Sequence, residues 1–182
     1  TGGSTLTAQQ VENNIVRVAI QTLAAVLGGT QSLHTNSKDE ALALPTEESV
    51  RTALRTQQIV AYESGAADTI DPLAGSFYVE SLTSQIAEQA MDLIRIIDDL
   101  GGSPCAIDKG FMQQEIMDAA YAYQKQIENA KEIVVGVNKF QVEEPAPKGL
   151  LRVDMSVGEL QKNKISALKE ERDSQKVSET LE

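Results

Sequence analysis

Between residues 29 and 45 the chain concentrates hydrogen-bonding side chains: Gln31, Ser32, His34, Thr35, Asn36, Ser37, Asp39 and Glu40. These residue types donate to and accept from sugar hydroxyls, amides and carbonyls. A carboxylate with an amide nearby, here Glu40 and Asn36, suits a ribose diol. The carboxylate accepts from both hydroxyls while the amide donates or accepts. A plainer reading stands beside this one. Polar loops that precede helices are common, and Asp39 is equally placed to cap a helix N-terminus. A lone histidine such as His34 is more often a hydrogen-bonded structural residue than a catalyst.

Other chemistries find little support. There is no G-x-S-x-G nucleophile elbow and no G-x-x-x-x-G-K-[ST] phosphate loop. One cysteine, Cys105, and one histidine, His34, cannot build a Cys/His zinc site, and no metal set or catalytic dyad is legible. A lone cysteine excludes an internal disulfide and fits a reducing cytosol or mitochondrial matrix, with a cytoplasmic setting expected. Cys105 follows Pro104 in an apolar first turn and reads as buried and inert. The net charge of -11 argues against nucleic-acid backbones and against anionic membranes. No apolar run reaches the ~18–20 residues that cross a bilayer.

The loop must be held by its flanking elements. Residues 1–6 (TGGSTL) read as a loop, and Thr7 with Gln10 forms a T-x-x-Q capping box that predicts a helix start. Val11, Ile15, Val18, Ala19 and Leu23 recur at helical spacing, and Gly28-Gly29 closes that helix. A short strand is expected near 30–33, feeding the polar loop, with one helical turn at 38–43. Glu47 and Glu48 open a second helix, at the end where the dipole favours anions, and Gly65 stops it. A third helix spans about 76–100, ended by Gly101-Gly102. Ser103-Pro104 opens a short one, and a fourth long helix covers 111–130. EIVVGV (132–137) reads as a buried strand, QVEEPAPK (141–148) as an extended linker, and 150–153 as a short final strand. Ser156 and Glu159 form another capping box, and from about 173 the tail is expected to fray.

Strand candidates separated by helices suit parallel α/β packing. With 182 residues, 41% of them apolar, the chain is long enough for one domain. Two or three strands do not make a stable parallel sheet with both faces covered. The chain also opens on Thr1 with no leader and no obvious first element. Both features create the expectation of a piece of a larger fold.

GGTQSLHTNSKDEALALPTE (28–47), TQQIVAYESG (56–65), DPLAGSFYVE (71–80) and EIVVGVNKF (132–140) together resemble the large subunit of the adenosylcobalamin-dependent methylmalonyl-CoA mutase family. The blocks stand in the family's order and spacing and cover nearly the whole chain, weakening beyond about 165. The resemblance implies an α/β fold, the C-terminal portion of a (β/α)8 TIM-type barrel. Residues 1–140 would supply its last strands and helices, and 141–182 a linker and a charged C-terminal helix. It implies adenosylcobalamin as cofactor and an acyl-CoA substrate whose pantetheine arm lies along the barrel axis. The cobalt–carbon bond breaks homolytically, and the acyl-CoA skeleton rearranges by a radical route, as in methylmalonyl-CoA to succinyl-CoA. Relatives acting on 2-hydroxyisobutyryl-, isobutyryl- or ethylmalonyl-CoA share these blocks, and a non-catalytic assembly fragment that binds a partner through exposed helix faces is the alternative of a different class.

Matched residue by residue, the resemblance puts Gln31 and Ser32 against the acyl-CoA. Asn36 and Glu40 fall on the adenosyl and corrin side of the coenzyme, and Ala41, Ala43 and Leu44 against the corrin. Ser4 stands where well-known members carry a Trp near the corrin. The family's cobalt-ligating D-x-H-x-x-G is not on this chain: His34 is the sole histidine, and Ser32 stands two before it. The resemblance therefore implies two partners, the N-terminal barrel portion and a cobalamin-binding domain or subunit.

Overall fold

The computed structural model describes residues 2–181. In chain order it has a 3-10 turn at Gly3–Thr5, then α1 (Asn13–Leu27), α2 (Glu47–Glu63), α3 (Phe77–Asp99), α4 (Ser103–Asp108), α5 (Phe111–Glu128), α6 (Met155–Glu171) and α7 (Ser174–Leu181). Among the described residues no β-strand forms, and the expected barrel strands at 30–33, 132–137 and 150–153 are absent. The reason is pairing. A strand is stabilised by the ladder it joins, and none of these three segments has a neighbour to pair with in this chain. EIVVGV bends instead: the amide of Val137 donates to Val134 O at 3.0 Å and that of Gly136 to Lys139 O at 2.8 Å. A single bridge, Val135 to Lys139, remains inside the turn. Asn138 pins it, accepting from the Val134 amide and donating to the carbonyls of Ile127 and Glu132.

The helix stops written as glycine pairs are built as expected. After α1 the amides of Gly29 and Thr30 return to Val26 O and Ala25 O, the 5→2 and 6→1 bonds of a Schellman ending. Gly29 supplies the positive φ of 73° that this ending needs. The amides of Gly101 and Gly102 repeat the pattern at the end of α3, returning to Asp98 O and Ile97 O. The starts are less regular. The Thr7–Gln10 capping box does not form, and α1 begins at Asn13. Gln10 instead takes a left-handed φ of 47°. Its amide donates to Glu144 Oε2 at 2.7 Å and its Nε2 to Phe140 O at 2.8 Å. Asp154, not Ser156, caps α6 by accepting from the Ser156 amide. Gly102 takes the cap position of α4 that Ser103 was expected to fill. The tail beyond 173 does not fray: Asp173 accepts from the amides of Gln175 and Lys176 and opens α7.

α1 packs on α2, and half of the buried residues lie there. Asn14, Val18 and Thr22 line α1; Ser49, Ala53, Thr56 and Val60 line α2. The i, i+4 spacing of small residues lets the two backbones approach. Thr22 and Thr56 donate their hydroxyls to Val18 O and Thr52 O within their own helices, so no unpaired donor is left at the seam. The expected apolar stripe is only partly used, since Leu23 stays exposed. No residue of α3 or α5 is fully buried. The accessible surface is 14045 Å², against roughly 8,600 Å² for a compact monomer of this mass. No helix among the described residues is long and apolar enough to cross a membrane.

Candidate functional site

The loop between α1 and α2 is held from below by its own buried polar side chains. Thr35, Asn36, Ser37 and Asp39 are all buried, which is costly unless they are bonded. Thr35 donates its hydroxyl to Ala53 O at 2.9 Å and accepts from Gln57 Nε2 at 2.8 Å, tying the loop to the middle of α2. Asn14 is 0% exposed. Its Nδ2 donates to Thr7 O and to Lys38 O, both at 2.8 Å, and its Oδ1 accepts from the Thr7 amide and from Arg17. Arg17 also donates to Val135 O at 2.7 Å. One buried amide thus holds the TGGSTLT segment, α1 and the polar loop together. Sequence reading passed over Asn14; its signal was an amide on the buried side of a helix.

Asp39 fixes the arch from within. The amides of Leu42 and Ala43 donate to its carbonyl at 2.8 and 3.0 Å, which builds the helical turn expected at 38–43. Its carboxylate accepts from the Thr46 amide at 3.2 Å. Thr46 in turn caps α2 by accepting from the Ser49 amide. Burial raises the cost of the Asp39 charge, but the Ser37 and Ser49 hydroxyls and the Thr46 amide outweigh it and hold the carboxyl below its ordinary range. Asp39 is therefore a buried structural anchor, but it does not cap a helix: the N-cap of α2 is Thr46, seven residues further on.

The other expected site residues sit on the outer side of this arch. Gln31 and Ser32 are exposed at its stem, and Glu40, Ala41 and Leu44 are exposed at its crest, with Ala43 half-buried. Asn36 and Glu40 are brought together beneath the 3-10 turn. A Cβ on Gly3 would lie 3.1 Å from Glu40 Cγ, 3.2 Å from Glu40 Oε1 and 3.6 Å from Asn36 Nδ2. The turn itself is fixed to α1, because Gln21 Nε2 donates to Thr5 Oγ1 at 2.8 Å. Gly3 was not singled out from sequence, where a run of small residues signals a loop but not what the loop lies over. Ser4 is exposed beside it.

A cleft of ≈ 200 Å³ opens on this side, lined by His34, Ser37, Glu40 and residues of α2. A larger one of ≈ 860 Å³ lies under the 142–150 linker, lined by neither Asn36 nor Glu40. Lys38 closes onto Glu12 at 2.7 Å there, a surface ion pair worth no more than ~1 kcal/mol. Cys105, expected to be buried, is exposed; the next residue, Ala106, takes the buried place in α4. No group of three or more metal-ligating side chains occurs among the described residues.

The family model for methylmalonyl-CoA mutase matches residues 1–182. The chain belongs to the methylmalonyl-CoA mutase family. It is 46% identical to methylmalonyl-CoA mutase of Rhizobium meliloti (strain 1021), over all of this chain and 26% of that protein. It is 45% identical to the methylmalonyl-CoA mutase large subunit of Propionibacterium freudenreichii subsp. shermanii, over all of this chain and 25% of that one. It is 42% identical to the 2-hydroxyisobutanoyl-CoA mutase large subunit of Aquincola tertiaricarbonis, over all of this chain and 33% of that one. The chain thus spans a quarter to a third of the length of these relatives. The family match runs through each part that builds the site: the Gly3 turn, α1 with Asn14, and the arch from Gln31 to Leu44.

Proposed function

We propose that this chain forms the coenzyme and substrate edge of an adenosylcobalamin-dependent acyl-CoA mutase, an isomerase converting methylmalonyl-CoA and succinyl-CoA. The observation that carries the reading is the meeting of Asn36 and Glu40 under a residue without a side chain. An amide and a carboxylate at one spot form a hydrogen-bonding set for a ribose diol, the carboxylate accepting from its hydroxyls. The neighbouring crest offers Ala41, Ala43 and the 58% exposed Leu44, an apolar ledge suited to a corrin face. The residues therefore fit adenosylcobalamin, which when bound supplies homolytic cobalt–carbon chemistry.

The chain's own residues orient and shield. Glu40 accepts from the ribose hydroxyls, and Asn36 bonds the adenosyl side. Ala41, Ala43 and Leu44 exclude water from the corrin edge. Gln31 and Ser32, at the exposed stem of the loop, face the acyl-CoA. Residues 1–140 serve as the last part of the barrel and 141–182 as linker and charged C-terminal helices. The N-terminal barrel portion and a cobalamin-binding domain or subunit complete the enzyme, and this chain alone turns over nothing.

The test is reconstitution with those partners and adenosylcobalamin, followed by turnover of methylmalonyl-CoA and by coenzyme titration. Glu40→Ala and Asn36→Ala each weaken coenzyme binding by about tenfold or more, the range for a lost hydrogen bond to a charged or buried partner. Unchanged binding and turnover in both variants would falsify the site. A second reading has the same chemistry on another branched acyl-CoA, supported by the 42% identity to a 2-hydroxyisobutanoyl-CoA mutase subunit. Relative kcat/KM across a panel of branched acyl-CoAs separates the two.

A further inference from the structure

Glu40 is exposed, and an exposed glutamate left to itself samples several rotamers of similar energy. Ligand recognition by such a side chain is costly unless something narrows that choice in advance. Here the neighbour that could narrow it is the backbone of Gly3. An added Cβ would stand 3.1 Å from Glu40 Cγ and 3.2 Å from Oε1, closer than side-chain contacts normally come. A Cβ at position 3 would press on the Glu40 side chain and force it to give way by a few tenths of an ångström.

We infer that Gly3 is a positioning residue for the Glu40 carboxylate, the missing side chain being what lets Glu40 lie across the 3-10 turn and face the adenosyl ribose. The inference rests on the coenzyme-edge reading above. Three features make the seat rigid. The turn is tied to α1 by the Gln21–Thr5 hydrogen bond. Thr5 donates its hydroxyl back to Gly2 O at 2.9 Å. Leu6, directly after the turn, is buried. The opposing arch is equally fixed, through the Asn14 bond to Lys38 O. With both walls anchored, a methyl group inserted between them moves the one free part, the Glu40 side chain. Gly3 is not among the glycines of positive φ, so alanine fits its backbone and acts through bulk alone. Gly2, at φ -90° and ψ 130°, supplies the control, since its added Cβ meets only Ser4 Oγ at 3.4 Å.

The experiment titrates the assembled mutase with adenosylcobalamin and, separately, with methylcobalamin, which carries no ribose on its upper face, following the corrin absorbance. Gly3→Ala weakens adenosylcobalamin by about tenfold and leaves methylcobalamin unchanged, while Gly2→Ala changes neither. On a Glu40→Ala background, where the Cγ and carboxylate are gone, adding Gly3→Ala costs nothing more, the non-additivity of two residues acting through one contact. Equal loss for both corrinoids, a Gly3→Ala penalty that persists without Glu40, or no penalty at all overturns the inference and leaves the coenzyme-edge reading intact. Unchanged adenosylcobalamin affinity in Glu40→Ala overturns this inference too, and the coenzyme-edge reading falls with it only if Asn36→Ala is equally silent.

Discussion

The side-chain amide of Asn14 donates to the carbonyl of Lys38 at 2.8 Å, a bond that spans 24 residues and fastens the first helix to the polar arch. Asn14 also pairs both backbone groups of Thr7. Replacing it by alanine removes the partner of three part-buried backbone groups and one of the two bonds made by Arg17 Nη1. Each such orphan costs ~1–3 kcal/mol, and partial rescue by water brings the expected loss for Asn14→Ala to about 3 kcal/mol. A denaturant titration of the assembled protein measures it. A loss below ~1 kcal/mol would show that water replaces the amide and that the arch does not depend on it.

Asp39 gives the protein an acid-sensitive joint. Its folded carboxyl titrates below the ordinary value, so as pH drops the unfolded chain takes up this proton first. Its contribution to stability is fully present above the unfolded value, near pH ~4, and is lost as pH falls through the lower folded value. Denaturation midpoints followed from about pH 6 down to about pH 3 therefore fall less steeply in Asp39→Asn than in the parent. Identical slopes in the two proteins would remove Asp39 from this role.

Thr46 ends the arch and starts α2. Its Oγ1 accepts from the Ser49 amide at 3.2 Å and contacts the Ser49 hydroxyl at 3.0 Å. Thr46→Ala is expected to cost ~1 kcal/mol, and Thr46→Ser to retain most of the stability. Calorimetric melts compare the two; a serine variant no better than alanine would mean that the threonine methyl, not the cap, provides the stability.

The turn into α4 depends on Gly102, at φ 88° and ψ 177°. This region of backbone space is closed in practice to residues with a Cβ. Gly102→Ala is expected to cost ~1–3 kcal/mol and to raise amide exchange at the end of α3. Unaltered exchange there would mean that the turn relaxes without strain.

The surface of 14045 Å² predicts how the chain behaves alone. Ile86, Leu93 and Ile94 on α3 and Ile116 and Tyr121 on α5 are exposed. An isolated chain with such faces binds apolar dyes and melts at a temperature that rises with its concentration. Both signs are expected to vanish on mixing with the proposed N-terminal barrel portion and cobalamin-binding domain or subunit. A cooperative, concentration-independent melt of the chain alone would show a self-sufficient unit.

Sequence reading reached what is local. Gly28-Gly29 and Gly101-Gly102 close helices through bonds made within a few residues, and Glu47 with Glu48 marks the first turn of one. Asn36 and Glu40 were legible as a hydrogen-bonding set because their chemistry is carried by residue type. Non-local competition was not legible. Gln10 abandons its capping box because Glu144 and Phe140 offer bonds from the far end of the chain. EIVVGV has the composition of a strand, but a strand is a property of two segments, and its partner is not among these residues. Gly3 was invisible for a related reason: its importance lies in what is not there and in which side chain fills the gap.

The docking of the 132–144 turn on the start of α1 also orders events in time. Its bonds join residues 118, 130 and 134 positions apart, whereas α1 and the polar arch are joined across 24. Closing the longer loop costs more chain entropy and is slower. The α1–α2 hairpin with its arch can therefore assemble while α3 to α5 are still unfolded. The 132–144 turn then arrives as a late latch, and Arg17 and Gln10 are the catches it finds already in place.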